Sequence, residues 1–279
     1  MNFLYAIIYG IIEGITEWLP ISSTGHLILA NTFLKFAGEV GTEEFWNMFE
    51  VVIQFGAILA VVVLYIKNIW PLKFKEKDGS KKLGWDKDTL NLWGKILVSC
   101  VPAAIVGLAF DDLLDKYLYN PLTIGIMLIL VGIVFIIIET RHKKKYRVED
   151  IKELTYKDAL IIGAFQLIAA IFPGTSRSGA TIVGALMIGI SRVVAAEYTF
   201  YLAIPVMAGA SLLKLIKMGA MTGYQLGILA IGCVVAFIVS MFIIKFLMNF
   251  IKKHDFKPFA YYRILLGIVV LVLLFTHVI

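Results

Sequence analysis

Apolar runs recur along the whole of this chain, at 51–66, 96–110, 122–138, 159–172, 182–190, 200–213, 226–250 and 260–279. No single soluble core could bury them all. A bilayer accepts each one as a helix whose backbone polar groups bond within the segment. Only 16% of the 279 residues are charged and mean hydropathy is +0.87, against about 25% charged in a soluble domain. The runs are long and apolar throughout, unlike the alternating strands of about ten residues in an outer-membrane barrel. The fold class expected is an all-α, polytopic integral membrane protein. The opening "MNFLYAIIYGIIEGITEW" has neither a basic leader nor a small-residue cleavage site, so no removed signal peptide is expected.

The net charge of +6 would admit a nucleic-acid partner, but the distribution of that charge argues against one. Lys67, Lys73, Lys75, Lys77, Lys81, Lys82 and Lys87 fill one connection; Arg141, Lys143, Lys144, Lys145, Arg147, Lys152 and Lys157 fill another. Lys252, Lys253, Lys257 and Arg263 read as a third. Between them lie acidic connections with Glu39, Glu43 and Glu44, and with Asp111, Asp112 and Asp115. That is the positive-inside pattern, with the basic connections cytoplasmic and Lys214 and Lys217 a mild exception. Cys100 and Cys233 lie in separate apolar runs without ligand spacing, and are expected to be small core residues with no metal or disulfide role.

Two polar stretches interrupt this background: "EGITEWLPISSTGH" at 13–26 and "PGTSRSGAT" at 173–181. The apolar flanks of the first are too short to span, about 20 residues being needed, so a re-entrant hairpin broken at "LPISSTG" is expected over residues 1–36. A second is expected over 156–191, broken at Pro173–Gly174. An offset of 153 lays Gly10-x-x-Glu13 on Gly163-x-x-Gln166, Pro20 on Pro173 and Ser23 on Ser176, with Arg177 opposite Thr24. Residues 1–140 and 155–279 then form two repeats, each with one hairpin and three spans. An odd number of crossings inverts one repeat against the other and brings the hairpins together near the midplane. Six spans would leave both termini outside; hairpins that crossed fully would give ten crossings and the same terminal sides, and the charge pattern alone does not decide between them.

Carboxylates at membrane depth mark function, and Glu13 and Glu17, four apart, share a helix face where like charges call for a proton or a cation. The hydroxyls Ser22, Ser23 and Thr24 stand before a helix start, where exposed N–H donors favour an anion. Ser176, Ser178 and Thr181 repeat the arrangement around Arg177, whose donor fork suits phosphate or carboxylate, including a purely structural Arg–Glu pair. His26 alone among four histidines lies in such company, as either a core histidine or a proton-transfer group; His142, His254 and His277 read as solvated. Donors and carboxylates in one site are reconciled by a divalent cation, Mg²⁺ or Ca²⁺, between the acids and a phosphorylated ligand. Metal-assisted phosphoryl chemistry is the leading reading. A transporter or lipid flippase, which shares broken helices and midplane polar groups, is the competing one.

"EGITEWLPISSTGHL" and "PGTSRSGATI", with "FEVVIQFGAILAVV" and "AAEYTFYLAIPVMAGA", resemble the signatures of the bacterial undecaprenyl-diphosphatase family, linked to bacitracin resistance. The resemblance spans nearly the whole chain and implies hydrolysis of undecaprenyl diphosphate to the monophosphate and inorganic phosphate, at an outward-facing site in the bacterial inner membrane. It implies a lipid partner recycled for cell-wall synthesis, and is compatible with a homodimer. By motif position, Glu17, Ser23, His26 and Arg177 are the expected catalytic groups, and Glu13 and Glu17 the metal ligands. Ser22, Thr24, Ser176, Ser178 and Thr181 are expected to bind substrate, with either Ser23 or a water as nucleophile.

Overall fold

A computed structural model describes the chain apart from residues 78–79 and 142–144, with the side chains of 75–77, 80–82, 108, 111–112 and 115–116 also outside the description. Ten helices account for most of the described residues. They are α1 (Asn2–Thr16), α2 (Ser23–Phe33), α3 (Glu43–Ile69), α4 (Lys87–Leu118) and α5 (Pro121–Arg141), then α6 (Tyr156–Ile171), α7 (Arg177–Met187), α8 (Arg192–Met218), α9 (Gly223–Ile251) and α10 (Lys257–Phe275). Six of them, α3, α4, α5, α8, α9 and α10, are long and apolar enough to cross a membrane. The protein is therefore an all-α, multi-pass membrane protein. The pairs α1–α2 and α6–α7 are too short to cross, with 15 and 11 residues in the first pair.

Helices pack in reciprocal pairs: α1 lies on α9, α6 on α4, α3 on α8 and α5 on α10. Small residues permit the close approaches, because lipid offers no hydrophobic drive between helices and packing must supply it. A Cβ on Gly56 of α3 would sit 2.1 Å from the Cys233 carbonyl oxygen of α9, and one on Gly163 of α6 would sit 2.6 Å from that of Ser99 in α4. Cys100 and Cys233 are free thiols, half-buried in these helix contacts.

The connections depart from the sequence reading in three places. Residues 67–90, expected as a loop, contain an antiparallel hairpin of β1 (Leu72–Lys77) and β2 (Ser80–Trp85), with Leu72 opposite Trp85 and Lys77 opposite Ser80. Its base is fastened to α4, since Lys73 donates to Asp86 at 2.8 Å and to Thr89 at 3.0 Å. The Lys73 bond, with a second from the Thr89 hydroxyl at 2.7 Å, holds the Asp86 carboxyl well below the usual carboxylate range. The acidic connection expected at 111–115 is backbone helix, because α4 runs on to Leu118 and only Tyr119 and Asn120 separate it from α5. Arg263, assigned to a basic connection, is fully buried inside α10. It follows Lys257 by six residues, and counting basic residues cannot distinguish a helix start from its second turn. His142, Lys143 and Lys144 of the second basic connection lie outside the described residues.

Candidate active site

Both short pairs break on a proline and restart on a serine. α1 ends at Thr16 and residues 17–22 carry the chain to α2, while 172–176 carry it from α6 to α7. Ser22 adopts φ 73° and Ser176 φ 68°, a region costly for a residue with a Cβ. Each serine is an N-cap: the Ser22 hydroxyl accepts from the Gly25 N–H at 3.4 Å, and that of Ser176 from the Gly179 N–H at 3.2 Å. The equivalent caps are thus Ser22 and Ser176, one residue off the pairing read from sequence. The second break holds Gly174 and Thr175 between proline and cap, where the first holds only Ile21. Arg177 consequently matches Ser23, and both occupy the first helical position.

These two residues meet on one carboxylate. Arg177 Nη2 donates to Glu17 Oε1 at 2.7 Å, and Ser23 Oγ donates to Glu17 Oε2 at 2.9 Å. Arg177 Nη1 donates to the Thr199 carbonyl at 2.8 Å, and its guanidinium lies 5.9 Å from the Trp18 ring centroid. Ser178 Oγ donates to the Glu17 carbonyl at 3.0 Å and lies 3.1 Å from Ser176 Oγ. Glu17 and Arg177, 160 residues apart in the chain, therefore join the two breaks through a charged pair almost fully withdrawn from solvent. Such a pair survives burial only with good geometry and further hydrogen bonds, and here it has both.

Glu13 lies one helical turn before Glu17 and is completely buried, with no hydrogen-bond partner for either oxygen among the described residues. The charges acting on it are Glu17, Glu50 and Arg177. Glu50 accepts from the Tyr119 hydroxyl at 2.9 Å. Among the described residues no three His, Cys, Asp or Glu side chains form a metal cluster. Glu17 has both oxygens engaged, whereas those of Glu13 have no hydrogen-bond partner among the described residues. A buried carboxylate with two orphaned oxygens fits a cation whose other ligands come from substrate oxygens and water, the usual arrangement for Mg²⁺ with phosphates.

The orphaned polar atoms are clustered. Those buried without a partner among the described residues are both Glu13 oxygens, Trp18 Nε1, Gln166 Oε1, Thr175 Oγ1, Arg177 Nε and Arg263 Nε. Every one belongs to the two broken pairs or, for Arg263, to a guanidinium bonded to them. Each such atom costs about 1–3 kcal/mol. Their restriction to the two broken pairs and the guanidinium bonded to them marks these segments as the ones where a polar ligand would find unsatisfied partners.

His26 is oriented from both sides. Its Nδ1 lies 2.7 Å from the Ser22 carbonyl oxygen, which can only accept, so Nδ1 carries the proton. Nε2 then accepts from the Tyr262 hydroxyl at 2.8 Å, with the two rings parallel to within 5°. Among the described residues no hydrogen bond joins His26 to Ser23; the hydroxyl's partner is Glu17. Thr24 is half-buried on the first turn of α2. Thr181 is fully buried and its hydroxyl is spent on the Arg177 carbonyl at 2.9 Å and the Thr199 hydroxyl at 2.9 Å.

Sequence reasoning missed Tyr262, Thr199 and Arg263. Tyr262 and Thr199 carry no charge and sit in apolar helices, so nothing local distinguishes them. Arg263 did carry a signal, a basic residue inside the apolar run 260–279.

A family model described as "Bacitracin resistance protein BacA" matches residues 6–269. Undecaprenyl-diphosphatase 1 of Clostridium acetobutylicum is 57% identical over 274 residues, covering 98% of this chain and 97% of the relative. The undecaprenyl-diphosphatase of Desulfitobacterium hafniense is 57% identical over 268 residues, covering 95% and 94%. That of Enterococcus faecalis is 54% identical over 275 residues, covering 98% and 97%. On this match, which runs through both broken helix pairs and all six candidate spans, the chain belongs to the bacitracin resistance protein BacA family.

Proposed function

We propose that the chain is an undecaprenyl-diphosphate phosphatase, hydrolysing the lipid diphosphate to the monophosphate and inorganic phosphate. It thereby recycles the lipid carrier for cell-wall synthesis and confers bacitracin resistance. The observation that carries this reading is the Glu17 carboxylate held jointly by Arg177 and Ser23 across the two breaks, amid orphaned polar atoms. A guanidinium, a hydroxyl poised on a carboxylate and two helix starts are what a terminal phosphate requires.

Arg177 exchanges Glu17 Oε1 for the terminal phosphate, and backbone N–H groups at the starts of α2 and α7 complete its cradle. Ser23 Oγ, already hydrogen-bonded to Glu17, attacks the terminal phosphorus and gives its proton to that carboxylate. The bridging P–O bond breaks, and its electron pair leaves with undecaprenyl phosphate. Protonated Glu17 returns that proton to the departing lipid phosphate oxygen and, as carboxylate again, takes a proton from a water that attacks the phosphoserine. The Oγ–P bond breaks, inorganic phosphate leaves, and Glu17 gives the proton back to Ser23 Oγ. His26 passes protons through Nε2 and the Tyr262 hydroxyl. Glu13, joined by Glu17 once Arg177 has left it, would hold a divalent cation, which when bound supplies charge neutralisation of the diphosphate.

The reciprocal packing of α1 on α9 and α6 on α4, and of α3 on α8 and α5 on α10, supports two inverted repeats, residues 1–140 and 155–279, with re-entrant hairpins at about 1–36 and 156–191. The charge pattern is compatible with a bacterial inner-membrane location and an outward-opening site. A homodimer is the assembly we propose, and size-exclusion chromatography with light scattering checks it. The activity is tested with purified protein, undecaprenyl or farnesyl diphosphate and a phosphate-release assay. Release that depends on Glu17 supports the phosphatase; absence of release together with lipid movement in liposomes would replace it with a carrier.

A further inference from the structure

Arg263 is the largest fully buried charged side chain among the described residues, and no carboxylate pairs with it there. Its partners are three backbone carbonyls, and all of them lie in the two helix breaks. Nη1 donates to the Pro20 oxygen at 3.1 Å, while Nη2 donates to those of Gly174 at 2.9 Å and Thr175 at 2.8 Å. A guanidinium is planar and rigid, so two of its nitrogens bonded to two separate chain segments fix the distance between those segments. A Cβ on Gly179, in the first turn of α7, would lie 2.9 Å from Nη1, so that turn closes against the same guanidinium. The preceding residue, Tyr262, bonds His26 on α2. One turn of α10 therefore touches both breaks and both helices that begin there.

We propose that Arg263 is a positioning residue, a clamp that sets the separation of the two breaks and hence the geometry in which Arg177 and Ser23 meet on Glu17. Broken helices leave carbonyl groups unpaired at membrane depth, where no water reaches them. One guanidinium satisfies carbonyls from both breaks at once, which separate hydroxyl caps could do only one break at a time. The carbonyl oxygens disperse its charge, so no acid is needed that would compete with Glu17 for Arg177. A lysine keeps the charge but concentrates it at one point, and cannot bridge both segments with the same fork. The catalytic consequence rests on the phosphatase reading, while the clamp itself does not.

The test combines hydrogen exchange and kinetics on Arg263→Lys and on Gly179→Ala, which keeps the arginine but crowds its Nη1. In folded, detergent-purified protein, amide exchange in peptides covering 17–22 and 172–176 is expected to accelerate together in both variants, while α9 retains its protection. With undecaprenyl diphosphate, kcat of Arg263→Lys is expected to fall about 100-fold, as for other small misplacements of reacting groups, with KM little changed. Unchanged exchange at either break, or loosening spread evenly over all helices, would overturn the clamp. Coupled loosening beside an unmodified protein that releases no phosphate would leave the clamp standing and remove the phosphatase reading instead.

Discussion

Arg177 and Glu17, 160 residues apart in the chain, form a 2.7 Å ion pair that closes the gap between the two broken helix pairs. The pair makes the two breaks complementary to each other: the guanidinium proposed to meet phosphate is engaged by the carboxylate proposed to take a proton. On the proposed mechanism, substrate breaks this pair, so that the arginine and the acid are released for their separate tasks together.

Glu17→Gln keeps the shape but removes both the base and the charge facing Arg177. Turnover is expected to fall by about 100- to 10,000-fold, the range supplied by a general base. A phosphate-release assay checks this, and near-normal turnover would show that Glu17 neither accepts the Ser23 proton nor helps to hold a cation.

Glu13→Gln acts on the carboxylate whose two oxygens are buried without partners. The neutral variant is expected to need far more divalent cation for half-maximal activity. Titration of Mg²⁺ and Ca²⁺ after chelation measures the change, and an unaltered titration curve would move the cation elsewhere.

Ser23→Ala removes the hydroxyl that donates to Glu17 at 2.9 Å. If Ser23 attacks, activity falls about 1,000-fold or more, as for other nucleophile deletions, and acid quenching of the unmodified enzyme yields a phosphoserine at this position. Retained turnover in the variant assigns the attack to water.

Tyr262→Phe deletes one hydroxyl at the edge of the site. Loss of its bond to His26 Nε2 is expected to lower kcat about tenfold, the equivalent of one hydrogen bond of about 1.4 kcal/mol. Because the ring still stacks on His26, the thermal midpoint should hardly move, and a large fall in stability would mark the contact as structural.

Gly56→Ala tests the packing rather than the chemistry. Its Cβ would lie 2.1 Å from a backbone oxygen of α9, which cannot swing aside as a side chain could. Overpacking of this kind costs about 1–3 kcal/mol, so the thermal midpoint in detergent should drop clearly. An unchanged midpoint would mean that α3 and α9 separate easily.

Much of the site was legible because burying charge in a bilayer is so costly that Glu13, Glu17 and Arg177 stand out against apolar neighbours. Their types, and the recurrence of a proline–serine polar break near half-chain spacing, already point to phosphate chemistry. The pairing of Ser23 with Glu17 was not legible, since it depends on how a six-residue break folds back. Nor was the one-residue difference between the breaks, which appears only when both caps are seen at Ser22 and Ser176.

The sequence by itself determined the spanning helices and the placement of the two polar breaks, because hydrophobic length and the cost of exposed backbone are local properties of a segment. Only the tertiary structure decided which side chains share a proton or a charge. Arg263 shows the reason: as one cation among 26 basic residues it reads as surface charge. It becomes the tie between the breaks only when α10 packs its second turn beside Pro20, Gly174 and Thr175.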